Sequence, residues 1–181
     1  MTPDDVLAFW FTEHGRDDWF AGGAAFDAKC AERFGDTHAR AARAELWEWR
    51  GTLDGRLAEI ILLDQFSRQL YRGSARAFAC DLMAVALAQE VVAGGRDRDL
   101  PDDRRAFLYL PFEHAESLVL QDESVRLFSD LGQPEYLEYA LAHREVIARF
   151  GRFPMRNAAL GRASTPEEVS YIASRNDGEV F

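Results

Sequence analysis

The stretch LAEIILLDQFSRQLYRGSARAF, residues 57–78, predicts a helix that is apolar on nearly every side. Steps of three and four residues from Leu57 lead through Ile61 to Asp64 and Arg68, so charged side chains share the face that should be buried. Burial of an ionised group without a partner costs several kcal/mol. We therefore expect Asp64 to be paired, and Arg68 lies one helical turn away from it.

The same period of about 3.6 residues runs through the other long segments, and the alternation typical of strands is absent. The sequence therefore predicts an all-α protein, a single domain over residues 1–181 with about seven antiparallel-packed helices. The predicted helices span about 3–11, 24–49 with a break at Gly35 left open, 53–71, 74–93, 101–131 with an interruption at Pro111, 135–150, and a last one from Pro166. Expected N-caps are Thr2, Ser74, and either Ser164 or Thr165.

Composition excludes several classes of partner. The chain has 31 acidic against 21 basic residues and a formal net charge of −10, which disfavours binding to nucleic acid or to an anionic membrane. The first residues show no basic leader, and the apolar runs are far shorter than the roughly 20 residues of a membrane span. Cys30 and Cys80 have no metal-ligand spacing and are expected to be free thiols. We expect a soluble, cytoplasmic protein.

Two further helices carry polar residues where apolar ones are expected. His114 lies on the apolar stripe of the fifth predicted helix with Glu116 nearby, and His143 lies on that of the sixth. Arg152 and Arg156 follow just after the sixth helix ends. Such positions tolerate polar groups only when these groups meet one another or a ligand. The sequence therefore predicts that three helices contribute to one sheltered polar region, in which carboxylates balance arginines.

Three extended motifs, LLDQFSRQLYRGSARAF, FLYLPFEHAES and RFGRFPMRNAALGRASTPEE, resemble the bacterial family known as domain of unknown function 924. The opening VLAFWF is similar to it as well, so the resemblance covers nearly the whole chain. It implies a tetratricopeptide-like array of antiparallel helices and no assigned biochemical role. This chain departs from the family pattern at Gln69, where members have Asn, and at Met155, where members have His. The departure at Met155 weakens any mechanism that would use that histidine.

The positions that match the family motifs are Asp64, Gln65, Phe66, Arg68, Arg72, Arg76, His114, Glu116, His143, Arg149, Arg152, Arg156 and Asn157.

Several kinds of catalytic or cofactor site are excluded. A ferritin-like di-iron bundle needs Glu-x-x-His pairs, but the residues three before the four histidines are Phe11, Gly35, Pro111 and Ala140. Zincin, nucleophile-elbow, Walker and dinucleotide-binding motifs are absent too. We therefore expect no metal and no cofactor.

The motif residues support a binding module as the first hypothesis. In an acidic protein an excess of arginine at motif positions is typical of a site for carboxylate or phosphate, so the predicted ligand is an anionic small molecule or a peptide end. The candidate ligand-binding residues are Arg68, Arg72, Arg76, His143, Arg149, Arg152, Arg156 and Asn157.

The second hypothesis is an enzyme of hydrolase or lyase type. In it, His114 acts as general acid or base, oriented by Glu116 or Asp64, while arginines stabilise a developing anion. No nucleophile is evident. A third hypothesis treats the whole set as a closed structural network that locks the helices in register, with its arginines fully paired. The sequence leaves these three open and does not indicate an oligomeric state.

Overall fold

The computed structural model describes residues 1–21 and 23–175, and this part of the chain contains helices and no strand, which confirms the predicted all-α class. The α-helices are α1 (Pro3–Ala8), α2 (Arg16–Ala21), α3 (Gly23–Ala42), α4 (Leu53–Ile61), α5 (Ser67–Leu70), α6 (Asp81–Ala93), α7 (Asp102–Glu113), α8 (Leu118–Leu131), α9 (Pro134–Phe150) and α10 (Pro166–Ala173). Two π-helical segments extend this set: Phe9–Glu13 continues α1, and Leu62–Phe66 joins α4 to α5. Short 3-10 turns lie at Trp47–Gly51, Ala75–Phe78, Asp97–Asp99 and Pro154–Arg156.

The predicted helix ends are confirmed where the sequence carries a strong capping signal. Thr2 and Thr165 each form a capping box, with Asp5 and Glu168 respectively, and a proline follows each cap. A cap of this kind contributes about 1 kcal/mol to helix stability. At the other end of α9, Gly151 has a φ of +69°, which only glycine adopts without strain.

Other predicted boundaries were wrong. α3 runs through Gly35 without a break and ends at Ala42, well before the predicted end at residue 49, because Ala44 adopts a left-handed φ of +58°. Ser74 caps only a 3-10 turn, and α6 begins later, at Asp81. In both places the apolar periodicity continues through residues that form turns, so periodicity alone does not locate the end or the start of the helix.

The interruption predicted at Pro111 also falls elsewhere. Pro111 lies inside α7, and the break between α7 and α8 comes at residues 114–117. A proline removes one backbone hydrogen bond from an α-helix. Only Phe112 and Glu113 follow Pro111 in α7, so a proline here disturbs only the end of the helix. Consequently His114 is the C-cap of a helix rather than a residue within one.

The core lies between α1, α3, α4 and α7. Trp10, Phe34, Phe66 and Phe107 are fully buried there, and the Phe66 ring lies 5.1 Å from the rings of both Trp10 and Phe34. Aromatic pairs at this separation contribute about 0.5–1.5 kcal/mol beyond the burial of their area. α6 and α7 pack against α4, and α8 packs between α7 and α9. Among the described helices, none has both the length and the apolar character needed to cross a membrane.

Candidate functional site

Seven polar side chains from separate elements meet beside this core, and we call them the polar centre. They are Asp64 from the π-helical segment, Arg68 from α5, Asp81 at the start of α6, Glu113 and His114 at the end of α7, His143 from α9, and Arg156 from the turn after α9. Five of them, Asp64, Arg68, His114, His143 and Arg156, are site residues predicted from the sequence.

The π-helical segment Leu62–Phe66 determines how the helix presents its polar groups. A π-helical turn bonds each carbonyl to an amide five residues on instead of four, and such turns are frequent at functional sites. Here the backbone carbonyl of Asp64 accepts a hydrogen bond from Nη1 of Arg68, at 2.7 Å. The irregular turn thus lets a side chain of the next turn bind the backbone that carries the buried carboxylate.

The carboxylate of Asp64 is 1% exposed and receives several donors. His114 Nδ1 lies 2.8 and 3.0 Å from its two oxygens, Gln65 Nε2 donates at 2.6 Å, and Arg68 Nη1 lies 3.2 Å away. Burial alone would raise the pKa of Asp64, but Arg68 and His114 together hold it well below its ordinary value. Asp64 is therefore ionised at neutral pH.

This ionised carboxylate fixes the tautomer of His114. An ionised carboxylate only accepts hydrogen bonds, so Nδ1 of His114 carries the proton and donates it. Burial, and then the charge of Arg68, lower the pKa of His114, so the ring is neutral and its Nε2 is a free acceptor. The side chain is 15% exposed, and Nε2 forms no hydrogen bond with any described residue.

Asp81 joins two arginines. Arg68 binds it with both terminal nitrogens, at 3.0 and 3.1 Å, and Arg156 Nη1 lies 3.3 Å from the same carboxylate. Burial lowers the pKa of Arg68, but Asp64 and Asp81 outweigh this and raise it. Asp81 is thus shared by two guanidinium groups, and its hydrogen bonds with Arg68 are shorter than the one with Arg156.

Arg156 is the least satisfied cation of the polar centre. Its side chain is 6% exposed and lies between two aromatic rings, 4.6 Å from the centre of Phe78 and 4.4 Å from that of Phe153. Its Nε is buried and has no hydrogen-bond partner among the described residues. Burial and the nearby charge of Arg68 lower the pKa of Arg156 to about 10. The guanidinium remains charged at pH 7, but it is poorly compensated.

Glu113 and His143 form a neutral pair on the inner side. Oε1 of Glu113 lies 3.5 Å from Nδ1 of His143, which donates to the carbonyl of Tyr139 at 2.8 Å. Burial, with a smaller contribution from Asp64, raises the pKa of Glu113 to about 8, and Oε2 of Glu113 has no described hydrogen-bond partner. Burial and then His114 lower the pKa of His143 to about 3. At neutral pH both groups are therefore uncharged.

Three of the other predicted ligand-binding arginines lie outside the polar centre. Arg72 binds Asp27 with two hydrogen bonds of 2.8 and 2.9 Å. Arg76 stacks on a tyrosine ring, with 3.8 Å between its guanidinium carbon and the ring centre. Arg149 is exposed and donates to Glu167 at 2.8 Å. All three side chains lie on the surface, and each already has a partner within the protein.

Arg152 and Asn157 fasten the last helix to the body of the protein, whereas Glu116 binds a different part of the chain. Arg152 binds Glu168 of α10 with hydrogen bonds of 2.6 and 2.8 Å, and Asn157 Nδ2 lies 3.4 Å from the same carboxylate. Glu116 forms no hydrogen bond or ion pair with His114. It accepts hydrogen bonds from Arg162, at 2.6 and 2.9 Å, and from the backbone of Phe153, at 2.7 Å. Of the two orienting groups proposed for His114, only Asp64 forms a hydrogen bond with it.

Sequence reasoning missed the aromatic part of the site. It assigned no role to Phe78 or Phe153, although each lies in a motif beside an arginine, in the stretches ARAF and RFPMR. An aromatic residue next to a motif arginine is a signal for stacking, but it is a weak one because phenylalanine is abundant in this chain.

The structure also contains a serine–histidine contact, which sequence reasoning did not find. His38 Nε2 lies 2.8 Å from Oγ of Ser67. Ser67 is fully buried, and its hydroxyl donates to the carbonyl of Leu63 at 2.5 Å. A nucleophile must reach a substrate, so this pair serves packing rather than nucleophilic catalysis. Among the described residues, no group of three or more His, Cys, Asp and Glu side chains is arranged to hold a metal ion.

Comparison with known proteins identifies relatives of the same fold. The family described as bacterial protein of unknown function (DUF924) matches residues 6–176. The solved structure of a protein of unknown function, ATU0120, from Agrobacterium tumefaciens is 42% identical and superposes with a TM-score of 0.90, covering 96% of this chain and 97% of that chain. No curated protein sequence matches. Because the family match spans nearly the whole chain, as the three motifs predicted, this protein belongs to the DUF924 family.

Proposed function

We propose that the polar centre binds the anionic group of a small molecule or of a peptide end, and that Arg156 is its anchor. The observation that carries this proposal is the guanidinium of Arg156, which is buried between two phenylalanine rings and has one long hydrogen bond, to Asp81. A guanidinium has five N–H donors. An incoming carboxylate or phosphate would receive two of them in the paired geometry that arginine favours.

The local charge distribution supports an anion rather than a cation as ligand. Buried charges without partners are costly, and Asp81 is already held by two shorter hydrogen bonds from Arg68. Glu113, which would otherwise add negative charge, is protonated at neutral pH because burial raises its pKa to about 8. With both histidines neutral as well, Arg68 and Arg156 are balanced by Asp64 and Asp81. An anion at Arg156 would therefore meet no net negative charge, whereas a cation would face an incompletely paired guanidinium.

The accessible edge of the polar centre gives the ligand its other contacts. Arg68 and His114 are 20% and 15% exposed, so both are open to a small group. Nε2 of the neutral His114 accepts a hydrogen bond, which fits a ligand carrying a hydroxyl or amino group beside its acid. Of the ligand-binding residues predicted from the sequence, the proposed site uses Arg68, His143 and Arg156. We also propose that residues 1–181 form a single domain with a tetratricopeptide-like arrangement of helices. We propose a cytoplasmic location for the protein as well.

Thermal unfolding in the presence of anions tests this function. We expect phosphate, acetate and lactate to raise the melting temperature of the protein by more than chloride does at equal ionic strength, because only the first three bind a guanidinium in paired geometry. Arg156→Gln should abolish the difference. Arg144→Gln, which removes an exposed arginine paired with Asp122, is the matched control and should preserve it.

Arg156→Lys is the control for the case in which Arg156→Gln fails to fold. It keeps the positive charge but cannot bind an anion with two parallel hydrogen bonds. We expect it to fold and to respond weakly to the three anions. Equal responses of Arg156→Gln and Arg144→Gln, or no response of the wild type to any of the anions, would contradict the proposal.

A second candidate function is catalysis, and the hydrogen bond between Asp64 and His114 favours it. The carboxylate holds the Nδ1 proton, so Nε2 is available as a general base at the edge where the anion would bind. A hydrolase or lyase acting on an organic acid would use this arrangement. In a screen of such substrates, activity should disappear in His114→Gln. If anion binding persists in that variant and no substrate is turned over by the wild type, the protein is a binding module and not an enzyme.

A further inference from the structure

A cavity lies apart from the polar centre and shares no residue with it. It has a volume of about 540 Å³ and lies between the end of α6, the turn Asp97–Asp99, α7 and α8. Cavities of roughly 300–1,000 Å³ are the size that small organic ligands occupy. Of the three sequence motifs, only the second reaches its lining, through Tyr109.

The inner wall of this cavity is built around Tyr109. The Tyr109 hydroxyl donates a hydrogen bond of 2.5 Å to the carboxylate of Asp97, and both residues are buried. Burial, and then Asp97, raise the pKa of Tyr109, so its hydroxyl keeps the proton. Because this donor and acceptor bind each other, we expect a ligand to contact the other side chains of the lining rather than Tyr109 and Asp97.

Three arginines line the cavity, and two of them have unused donors. Arg126 is held by Glu123 and Asp130, with hydrogen bonds of 2.6 to 2.8 Å. Arg105 donates one hydrogen bond to Asp102, at 2.6 Å, while its Nε is buried without a partner among the described residues.

Arg98 is the second arginine with unused donors. It is exposed on the turn between α6 and α7 and forms no hydrogen bond or ion pair with any described residue. The cavity therefore combines an open cation with a buried, unsatisfied guanidinium N–H. The buried N–H of Arg105 is costly to leave unpaired, and an anion that reaches it would also pair with the exposed Arg98.

We infer that this cavity is a second binding site for a small organic anion. Its acid group, a carboxylate or a phosphate monoester, would contact Arg98 and Arg105. Its carbon skeleton would lie against Val92 and Leu127, the apolar side chains of the lining. A compact inorganic anion would leave that apolar wall uncovered, so an anion with a hydrophobic body is the better fit.

The test uses two probes that differ only in their acid group, benzoate and phenyl phosphate. Each is titrated into ¹⁵N-labelled protein, to about 10 mM, which would fill roughly nine-tenths of a site with a Kd of about 1 mM. We expect chemical shift changes in the backbone amides of residues 92–100 and 105–109. The probe with the tighter binding identifies the acid group that the site takes. Benzylamine, a cation of similar size, should produce no such changes.

Arg98→Gln is the decisive variant, because Arg98 has no described internal partner and its loss should not affect folding. We expect it to weaken probe binding about tenfold, which is the effect of losing one charge-assisted hydrogen bond. Arg96→Gln, an exposed arginine two residues earlier that does not line the cavity, is the matched control and should bind normally.

Arg156→Gln should also bind normally at this cavity, which separates this inference from the function proposed for the polar centre. The inference is overturned if neither probe shifts these amides, or if Arg98→Gln and Arg96→Gln bind the probes equally well.

Discussion

Asp64 and His114 are joined by hydrogen bonds of 2.8 and 3.0 Å between the two carboxylate oxygens and Nδ1 of the imidazole. The two residues lie fifty positions apart, in the first and second of the three sequence motifs. Arg156, from the third motif, reaches the same centre through Asp81. The three motifs are therefore parts of one spatial unit, and substitutions in one of them should affect the others.

Asp64→Asn should destabilise the protein by about 3–5 kcal/mol, the usual cost of breaking a buried ion pair from one side. The change leaves Arg68 and His114 without their shared carboxylate. Urea unfolding at pH 7 measures the loss. Asp122→Asn removes an exposed partner of Arg144 and should cost less than about 1 kcal/mol.

The effect of Asp64→Asn should also depend on pH in a defined direction. Because the folded protein lowers the pKa of Asp64, its stabilising contribution is present above the unfolded value of 3.8 and is lost as the pH falls further. The difference between the wild type and the variant should therefore shrink below that pH. A difference that stays constant down to about pH 2 would mean that Asp64 acts through packing alone.

Glu113→Gln should stabilise the protein at alkaline pH. Unfolded Glu113 releases its proton above pH 4.5, whereas folded Glu113 holds it to about pH 8, so the wild type loses stability between these two values. Glutamine keeps the shape and has no proton to lose. We expect the variant to gain on the order of 2–4 kcal/mol over the wild type at pH 8 and almost nothing at pH 4.5. Denaturant unfolding at both pH values checks this, and equal gains at both would contradict it.

His143 should stay neutral well into the acidic range. Burial lowers its pKa to about 3, whereas the unfolded value is 6.5, so the unfolded state binds more protons and the fold loses stability as the pH falls between them. The carbon-bound ring protons of His143 should therefore keep a constant NMR shift from pH 7 down to about pH 4. A titration with its midpoint near 6.5 would show that the ring is open to water.

Glu168→Gln should loosen α10. The Glu168 carboxylate accepts hydrogen bonds from Arg152, Asn157 and the backbone amide of Thr165, and those from Arg152 and Thr165 lower its pKa to about 2. Without them the backbone amides of α10 should exchange with deuterium several times faster, while those of α4 should be unchanged. Glu167→Gln, at the adjacent exposed position, is the matched control and should leave exchange in α10 nearly as it is.

The sequence predicted the helical class and the pairing of Asp64 with Arg68, because both follow from local rules. An aspartate and an arginine four residues apart on an apolar helix face have few other partners within reach. The caps at Thr2 and Thr165 were predictable for the same reason, since a cap is defined by its nearest neighbours. The tetratricopeptide-like character of the array stays a prediction.

The partner of His114 could not be predicted from the sequence. Glu116 and Asp64 were both candidates, and the choice depended on where α7 ends. The helix stops at Glu113 and the chain turns, so Glu116 moves away toward Arg162. The periodicity had indicated a helix that continues beyond Phe112. A break of four residues is enough to change which carboxylate faces the ring.

The roles of the three arginines after α9 were not predictable either. Arg149 and Arg152 bind acidic residues of α10, and only Arg156 enters the polar centre. Their separation depends on the left-handed turn at Gly151 and the 3-10 turn that follows it. Sequence patterns report the charges in such a loop but not the direction of each side chain, because a loop has no fixed period.

The π-helical turn at Leu62–Phe66 makes the length of this stretch as important as its composition. Each residue of a regular helix adds about 100° of rotation, whereas the wide turn accommodates one residue more than a regular turn does, so deleting a residue from the regular helix just after it would rotate every later side chain by that angle. Arg68 would then point away from Asp81, even though every letter of the motif except the deleted one was still present. We expect insertions and deletions in this stretch to be far more damaging than conservative replacements at the same positions.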